Sequence, residues 1–124
     1  EYQKGKESST RIEIRSPDPA CNPYLAISLI HAAGMEGVKR NLKPPEPVEV
    51  DVFHMSESER RRLNIAELSP SLEKALEFFE KSELVKRTLP EHVYRKFIEN
   101  KRIECSNFNR TVTDYEIKNY FGVL

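Results

Sequence analysis

Three side chains near the start of the chain, Arg11, Glu13 and Arg15, have the types and the spacing for phosphate and metal chemistry. An arginine offers a planar fork of N–H groups that matches phosphate or carboxylate oxygens two at a time. A glutamate oxygen is a hard donor suited to a divalent cation. Ile12 and Ile14 stand between them, so Arg11–Arg15 alternates charged and aliphatic at every step. That is the period of a half-buried β-strand. On such a strand the isoleucines face a core, and the charged side chains line the opposite face, roughly 6.6 Å from each to the next. A carboxylate held between two guanidiniums on rigid backbone is a reader of a metal-bound phosphate. The same pattern, taken alone, also describes a solvated strand with cross-strand ion pairs.

The elements around this segment must position it. Residues 1–10 are polar, and Lys4 to Ser9 read as a hairpin loop, with Glu1-Tyr2-Gln3 as the remnant of an incoming partner strand. A strand without its partner leaves ladder groups unpaired, so the expectation is a substitute partner or a frayed end. Asn22 before Pro23 is a helix start, an N-cap followed by proline at the first helical position. From Tyr24 to Met35 the chain is apolar almost all round, which predicts a buried central helix, and Pro44, Pro45 and Pro47 predict an extended connector over 43–50. Short amphipathic helices follow. Ser56 with Glu59, Thr88 with Glu91 and Thr113 with Glu116 have the spacing of capping boxes, and Ser69-Pro70-Ser71 precedes the apolar stripe Leu72, Ala75, Leu76 and Phe79. Tyr94, Phe97, Ile98, Cys105 and Phe108 share a face of the following helix. In the last helix Ile117, Tyr120, Phe121 and Leu124 recur at helical spacing, with Val112 placed to staple onto Ile117. The fold class is helix-rich α+β, an N-terminal edge strand or hairpin followed by about five helices.

Composition narrows the function classes. Among 124 residues, 38% are hydrophobic and 32% charged, and the mean hydropathy is −0.64. Twenty basic residues balance twenty acidic ones, so no net field favours nucleic acid or an anionic membrane. No apolar run approaches the roughly 20 residues of a membrane span. Cys21 and Cys105 are distant lone thiols, read as reduced cytoplasmic residues and not as a disulfide framework or zinc site.

The segment and its continuation, RIEIRSPDPACNPYL from Arg11 to Leu25, resemble the C-terminal part of the catalytic domain of glutamine synthetase. The later runs GMEGVKRNLKPPEPV, SLEKALEFFEKSEL and TVTDYEIKNYF are similar to that family too, so the resemblance covers nearly the whole chain. It implies that residues 1–124 are a single segment, the last portion of a longer glutamate–ammonia ligase. Such an enzyme moves the γ-phosphoryl group of ATP to the side-chain carboxylate of glutamate, and ammonia then displaces phosphate. It implies ATP as a substrate, Mg2+ or Mn2+ as cofactor, glutamate and ammonia as partners, and self-association into a cytoplasmic ring-shaped homo-oligomer. Carried over by position, Glu13 is the metal ligand, Arg15 contacts glutamate and the developing acyl phosphate as a catalytic residue, and Arg11 lies on the ATP phosphates. The other metal carboxylates, a histidine, the flap over glutamate and most of the nucleotide pocket are expected upstream of residue 1. One carboxylate cannot hold a divalent ion tightly. The chain alone is therefore expected to be inactive. Two alternatives stay open: a ligase of the same fold that joins glutamate to another amine such as a polyamine, and a non-catalytic structural relative.

Some bacterial members of the family carry a tyrosine, modified by adenylylation, forty residues after the strand glutamate; here that position is Phe53, which has no hydroxyl. This resembles the non-adenylylated bacterial and archaeal branch. The remaining features read as structural. His31 is expected as a hydrogen-bonded core residue, and His54 and His92 as surface residues. Arg60-Arg61-Arg62 beside Glu57 and Glu59 is a solvated face. Asp18, between Pro17 and Pro19, stabilises a turn, and Tyr2, Tyr94, Tyr115 and Tyr120 pack or sit at interfaces.

Overall fold

A computed structural model describes residues 4–123; the expected strand remnant at Glu1-Tyr2-Gln3, the packing of Tyr2 and the place of Leu124 in the last helix lie outside the described residues. Six α-helices carry the chain among the described residues: α1 (Pro23–Lys39), α2 (Glu57–Arg62), α3 (Leu72–Lys81), α4 (Glu83–Thr88), α5 (Glu91–Asn109) and α6 (Asp114–Tyr120). Short 3-10 turns lie at Glu7–Ser9 and Val52–His54.

The expected edge strand is not there, and the α+β class is corrected to all-helical among the described residues. Arg11–Arg15 runs as irregular backbone, with Ile12 83% and Ile14 44% exposed. Alternation fixes which side chains would share a face. It does not supply the neighbouring ladder that makes an extended segment a strand, and no described segment pairs with this one. The hairpin loop expected over residues 4–9 is instead a 3-10 turn, with Ser9 N–H and Ser9 Oγ–H both donating to Lys6 O, at 3.0 and 2.9 Å.

Most helix starts follow their local chemistry. Asn22 Oδ1 accepts from the N–H groups of Tyr24 and Leu25 at 3.0 and 3.2 Å, with Pro23 at the first position. Ser71 caps α3, and reciprocal capping boxes open α2 at Ser56–Glu59 and α6 at Thr113–Glu116. The box expected at Thr88–Glu91 does not form. Thr88 closes α4 by donating its hydroxyl to Leu84 O at 2.7 Å, and Pro90 is the N-cap of α5. Ser82 ends α3 and, through its hydroxyl accepting from Val85 N–H at 3.3 Å, begins α4.

Two helix ends use asparagine in the left-handed region. Asn41 (φ 50°) follows α1, with Asn41 N–H donating to Val38 O and Leu42 N–H to Gly37 O at 3.0 and 2.9 Å. Asn64 (φ 54°) closes α2 in the same way, onto Arg61 O and Arg60 O at 3.1 and 2.9 Å. Both are Schellman closures with asparagine where glycine is commoner.

The packed part of the molecule is the α3–α4–α5 cluster, with α1 laid against α4. Leu76, Val85 and Leu89 are its buried apolar residues. Around them Phe79 stacks on Phe97 and Tyr94, ring centroids 4.7 and 5.8 Å apart, and Tyr94 Oη–H donates to Glu80 O at 3.0 Å. Arg102 Nη2 reaches Glu80 Oε1 at 2.7 Å, tying α5 to α3, and Arg87 of α4 pairs with Glu36 of α1. The expected face of α5 is half-buried at Tyr94, Phe97, Ile98 and Cys105, whereas Phe108 is exposed.

The expectation of a buried central helix is also corrected. α1 has no buried residue, and His31, expected in a core, is exposed. Its sequence is apolar on two sides, and only one of them meets another helix. Residues 43–50 run without regular structure, as the prolines require. Val112 and Ile117 stay exposed.

Candidate functional site

The candidate segment is held at both ends by local hydrogen bonds. Before it, the Glu7–Ser9 turn ends at Thr10, whose N–H returns to Glu7 O at 3.1 Å. After it, Asp18 Oδ1 accepts from Ala20 N–H at 2.7 Å and Asp18 O from Cys21 N–H at 2.9 Å. This is an Asx turn, the role read for Asp18 from its flanking prolines. It delivers the chain directly to the Asn22 cap, so the segment is joined by one rigid turn to the N-terminus of α1.

Within the segment, Arg15 Nε–H donates to Glu13 Oε1 at 2.6 Å. These two side chains therefore come together across one intervening residue. Arg11 has no ion-pair or hydrogen-bond partner among the described residues, and the whole segment is exposed. Both guanidinium groups and the carboxylate are open to solvent, where a paired charge is worth little. Such a contact is readily exchanged for a stronger ligand.

A divalent ion takes several oxygen ligands in a preorganised shell. Among the described residues no group of three or more His, Cys, Asp or Glu side chains converges on one point, and the Glu13 carboxylate is already turned towards Arg15. By themselves, these residues do not fit a complete metal site.

The remaining polar clusters are accounted for locally. Asp51 Oδ1 accepts from Phe53 N–H at 2.9 Å and Asp51 Oδ2 meets His54 Nδ1 at 2.6 Å, which builds the 3-10 turn that leaves Phe53 exposed. Arg61 pairs with Glu57, and Arg60 Nη2 with Glu67 Oε1 at 3.1 Å, so the basic run of α2 is engaged by its acidic neighbours. The one feature near the site that sequence reasoning missed is the 3-10 turn at Glu7–Ser9. Its signal is the hydroxyl run Ser8-Ser9-Thr10, which can bond back to the preceding carbonyls.

Comparison with known proteins places these residues in context. A family described as "Glutamine synthetase, catalytic domain" matches residues 2–120. Similar proteins include glutamine synthetases from Methanococcus voltae, 46% identical over 92% of this chain and 26% of the relative, and from Methanocaldococcus jannaschii, 44% identical over 90% and 25%. Another, from Mycolicibacterium smegmatis, is 45% identical over 98% of this chain and 27% of the relative. The chain thus spans about a quarter of the length of the curated relatives it matches. No helix among the described residues is long and apolar enough to cross a membrane. On the match across residues 2–120 and these identities, the chain belongs to the glutamine synthetase catalytic-domain family.

Proposed function

We propose that this chain supplies the Arg11–Arg15 segment of a cytoplasmic glutamate–ammonia ligase, a protein whose other parts complete the active site. The observation that carries this reading is the family match over residues 2–120, within which Arg11, Glu13 and Arg15 all stand in the sequence. Their exposure and the short Glu13–Arg15 contact support it, since these charges are not committed to the chain's own core.

Each residue has a role that follows from its chemistry. Arg11 lies along the ATP phosphates. Arg15 holds the glutamate carboxylate and opposes the negative charge that builds as phosphoryl transfer makes the acyl phosphate. A fixed cation there is worth more in the transition state than in the ground state. Glu13 would contribute one oxygen ligand to a divalent-ion site, Mg2+ or Mn2+, that residues outside this chain complete, where the ion would supply positive charge for phosphoryl transfer. The contact with Glu13 engages only Arg15 Nε and Glu13 Oε1, which leaves the Arg15 Nη groups and Glu13 Oε2 open to ligands.

The working protein is a ring-shaped homo-oligomer, and the 124-residue chain alone is inactive, because a single carboxylate on an exposed segment cannot preorganise the site. Phe53 occupies the exposed turn where a tyrosine would be adenylylated in some relatives, so this form of control is missing. The test is an assay of ATP-dependent phosphate release by a longer protein carrying this segment, with glutamate and either ammonia or a polyamine. Release that requires glutamate and ammonia supports the reading. Release that requires the polyamine, or none with any amine, contradicts it.

A further inference from the structure

The charged segment reaches α1 along a single short path. Among the described residues Arg11–Arg15 makes no backbone hydrogen bond, Ile12 and Ile14 are exposed, and the Arg15–Glu13 contact lies within the segment itself. Where Arg15 stands relative to α1 is therefore set by the chain between them, Ser16–Asn22. Arg15 and Asp18 are separated by at most about 11 Å of extended backbone. Ser16 and Pro17 are exposed, so a change in the turn at Asp18 passes to Arg15 with no packed residue between to absorb it.

That path is fixed by its own chemistry. Pro17, Pro19 and Pro23 hold their φ angles and keep Ser16, Asp18 and Asn22 out of the helical region. Asp18 Oδ1 accepts from Ala20 N–H at 2.7 Å and Asp18 O from Cys21 N–H at 2.9 Å, which closes a turn over Asp18–Cys21. Asn22 Oδ1 then accepts from Tyr24 and Leu25 N–H to start α1, and Glu36 of α1 pairs with Arg87 of α4. Of the bonds that close the Asp18–Cys21 turn, the one to Oδ1 is made by a side chain. It is the link that can be removed without changing a proline or the backbone. The bond needs an acceptor oxygen and not a charge, and an asparagine side chain carries the same oxygen.

We infer that Asp18 is a positioning residue: through its turn it holds Arg15 at a fixed place relative to α1, and so relative to the glutamate carboxylate and the acyl phosphate that Arg15 opposes. This rests on the reading of the chain as part of a glutamate–ammonia ligase, and adds a residue to it. Asp18 acts without touching substrate or ion, by its acceptor oxygen. Displacing a group that aligns reacting atoms by about 1 Å can cost roughly 10²-fold in rate, so the geometry of an exposed turn is enough to govern the use of glutamate.

Two measurements test this, one on the 124-residue chain and one on a longer protein that carries the segment. In the chain, nitrogen relaxation of the Ser16 amide is expected to give an order parameter near the rigid value of about 0.85 in the wild type and in Asp18→Asn, and below about 0.6 in Asp18→Ala. In the longer protein, Asp18→Ala should lower kcat/KM for glutamate by roughly tenfold to 10²-fold, through both kcat and KM. KM for ATP and the oligomeric state stay as in the parent, and Asp18→Asn restores kcat/KM to within about twofold. A Ser16 amide as mobile in the wild type as in Asp18→Ala overturns the proposal. So does Asp18→Ala turnover equal to the parent, or a loss that follows loss of the assembly. An Asp18→Asn variant as impaired as Asp18→Ala assigns the effect to charge and overturns it too. Glu13→Ala is the control: if it leaves turnover intact, the catalytic reading fails, whereas if it abolishes turnover and Asp18→Ala does not, the positioning role alone fails.

Discussion

Arg15 Nε lies 2.6 Å from Glu13 Oε1, so the acid and the base assigned to metal and substrate hold each other in the free chain. Both are largely solvated, and the pair contributes little to stability. Arg15→Ala or Glu13→Gln should therefore shift the urea midpoint of the isolated chain by less than about 0.5 kcal/mol in stability. A large shift would mean that the pair is part of the fold and not a pair of site residues waiting for ligands.

The packed cluster is where stability resides. Leu76→Ala should cost about 2–3 kcal/mol, the low end for a buried leucine, because so small a core can collapse around the loss. Tyr94→Phe keeps the stacking on Phe79 but leaves Glu80 O without its donor, at a cost of about 1 kcal/mol. Urea denaturation of the two variants checks both values and their order.

The helix starts were legible because they are local. Asn22-Pro23, Ser56 with Glu59, Ser71, and Thr113 with Glu116 each satisfy backbone N–H groups within a single turn, and each does so in the structure. The failures are non-local or competitive. Arg11–Arg15 has the strand period but no ladder partner, and α1 has the composition of a core helix without enough chain packed around it. Thr88 has capping-box spacing to Glu91, yet its hydroxyl is already used on Leu84 O, closing the previous helix. Residue types and the resemblance pointed to Arg11, Glu13 and Arg15, of which the structure brings Glu13 and Arg15 together, and no ligand group of three or more His, Cys, Asp or Glu side chains forms among the described residues.

Asn41 and Asn64 give a sharper test of the helix ends. At φ 50° a residue with an ordinary Cβ is strained, while asparagine tolerates the left-handed region and glycine adopts it freely. Asn41→Ala should cost about 1 kcal/mol and Asn41→Gly close to none. Thermal unfolding of the two variants reads the difference, and equal losses would contradict the Schellman assignment.

Titration of the capping boxes is expected to show at the ends of α2 and α6. Glu116 is held below its ordinary value of 4.5 first by the Thr113 backbone N–H and then by the Thr113 hydroxyl. Glu59 is lowered in the same way, first by the Ser56 hydroxyl and then by the Ser56 backbone N–H. A carboxyl whose folded pKa is depressed stabilises the fold above the unfolded value and loses that contribution as pH falls through the folded one. Amide chemical shifts of Asp114–Tyr120 should stay helical above about pH 4.5 and move towards coil below it. In Glu116→Gln that acid-dependent movement should largely disappear.

The most direct measurement is turnover by Glu13→Ala in a longer protein that carries this segment, followed together with its oligomeric state. If Glu13 is a ligand of the ion that steadies phosphoryl transfer, glutamate- and ammonia-dependent phosphate release should fall by about 10²-fold or more with the assembly unchanged. Activity equal to the parent in an intact assembly would contradict the central claim.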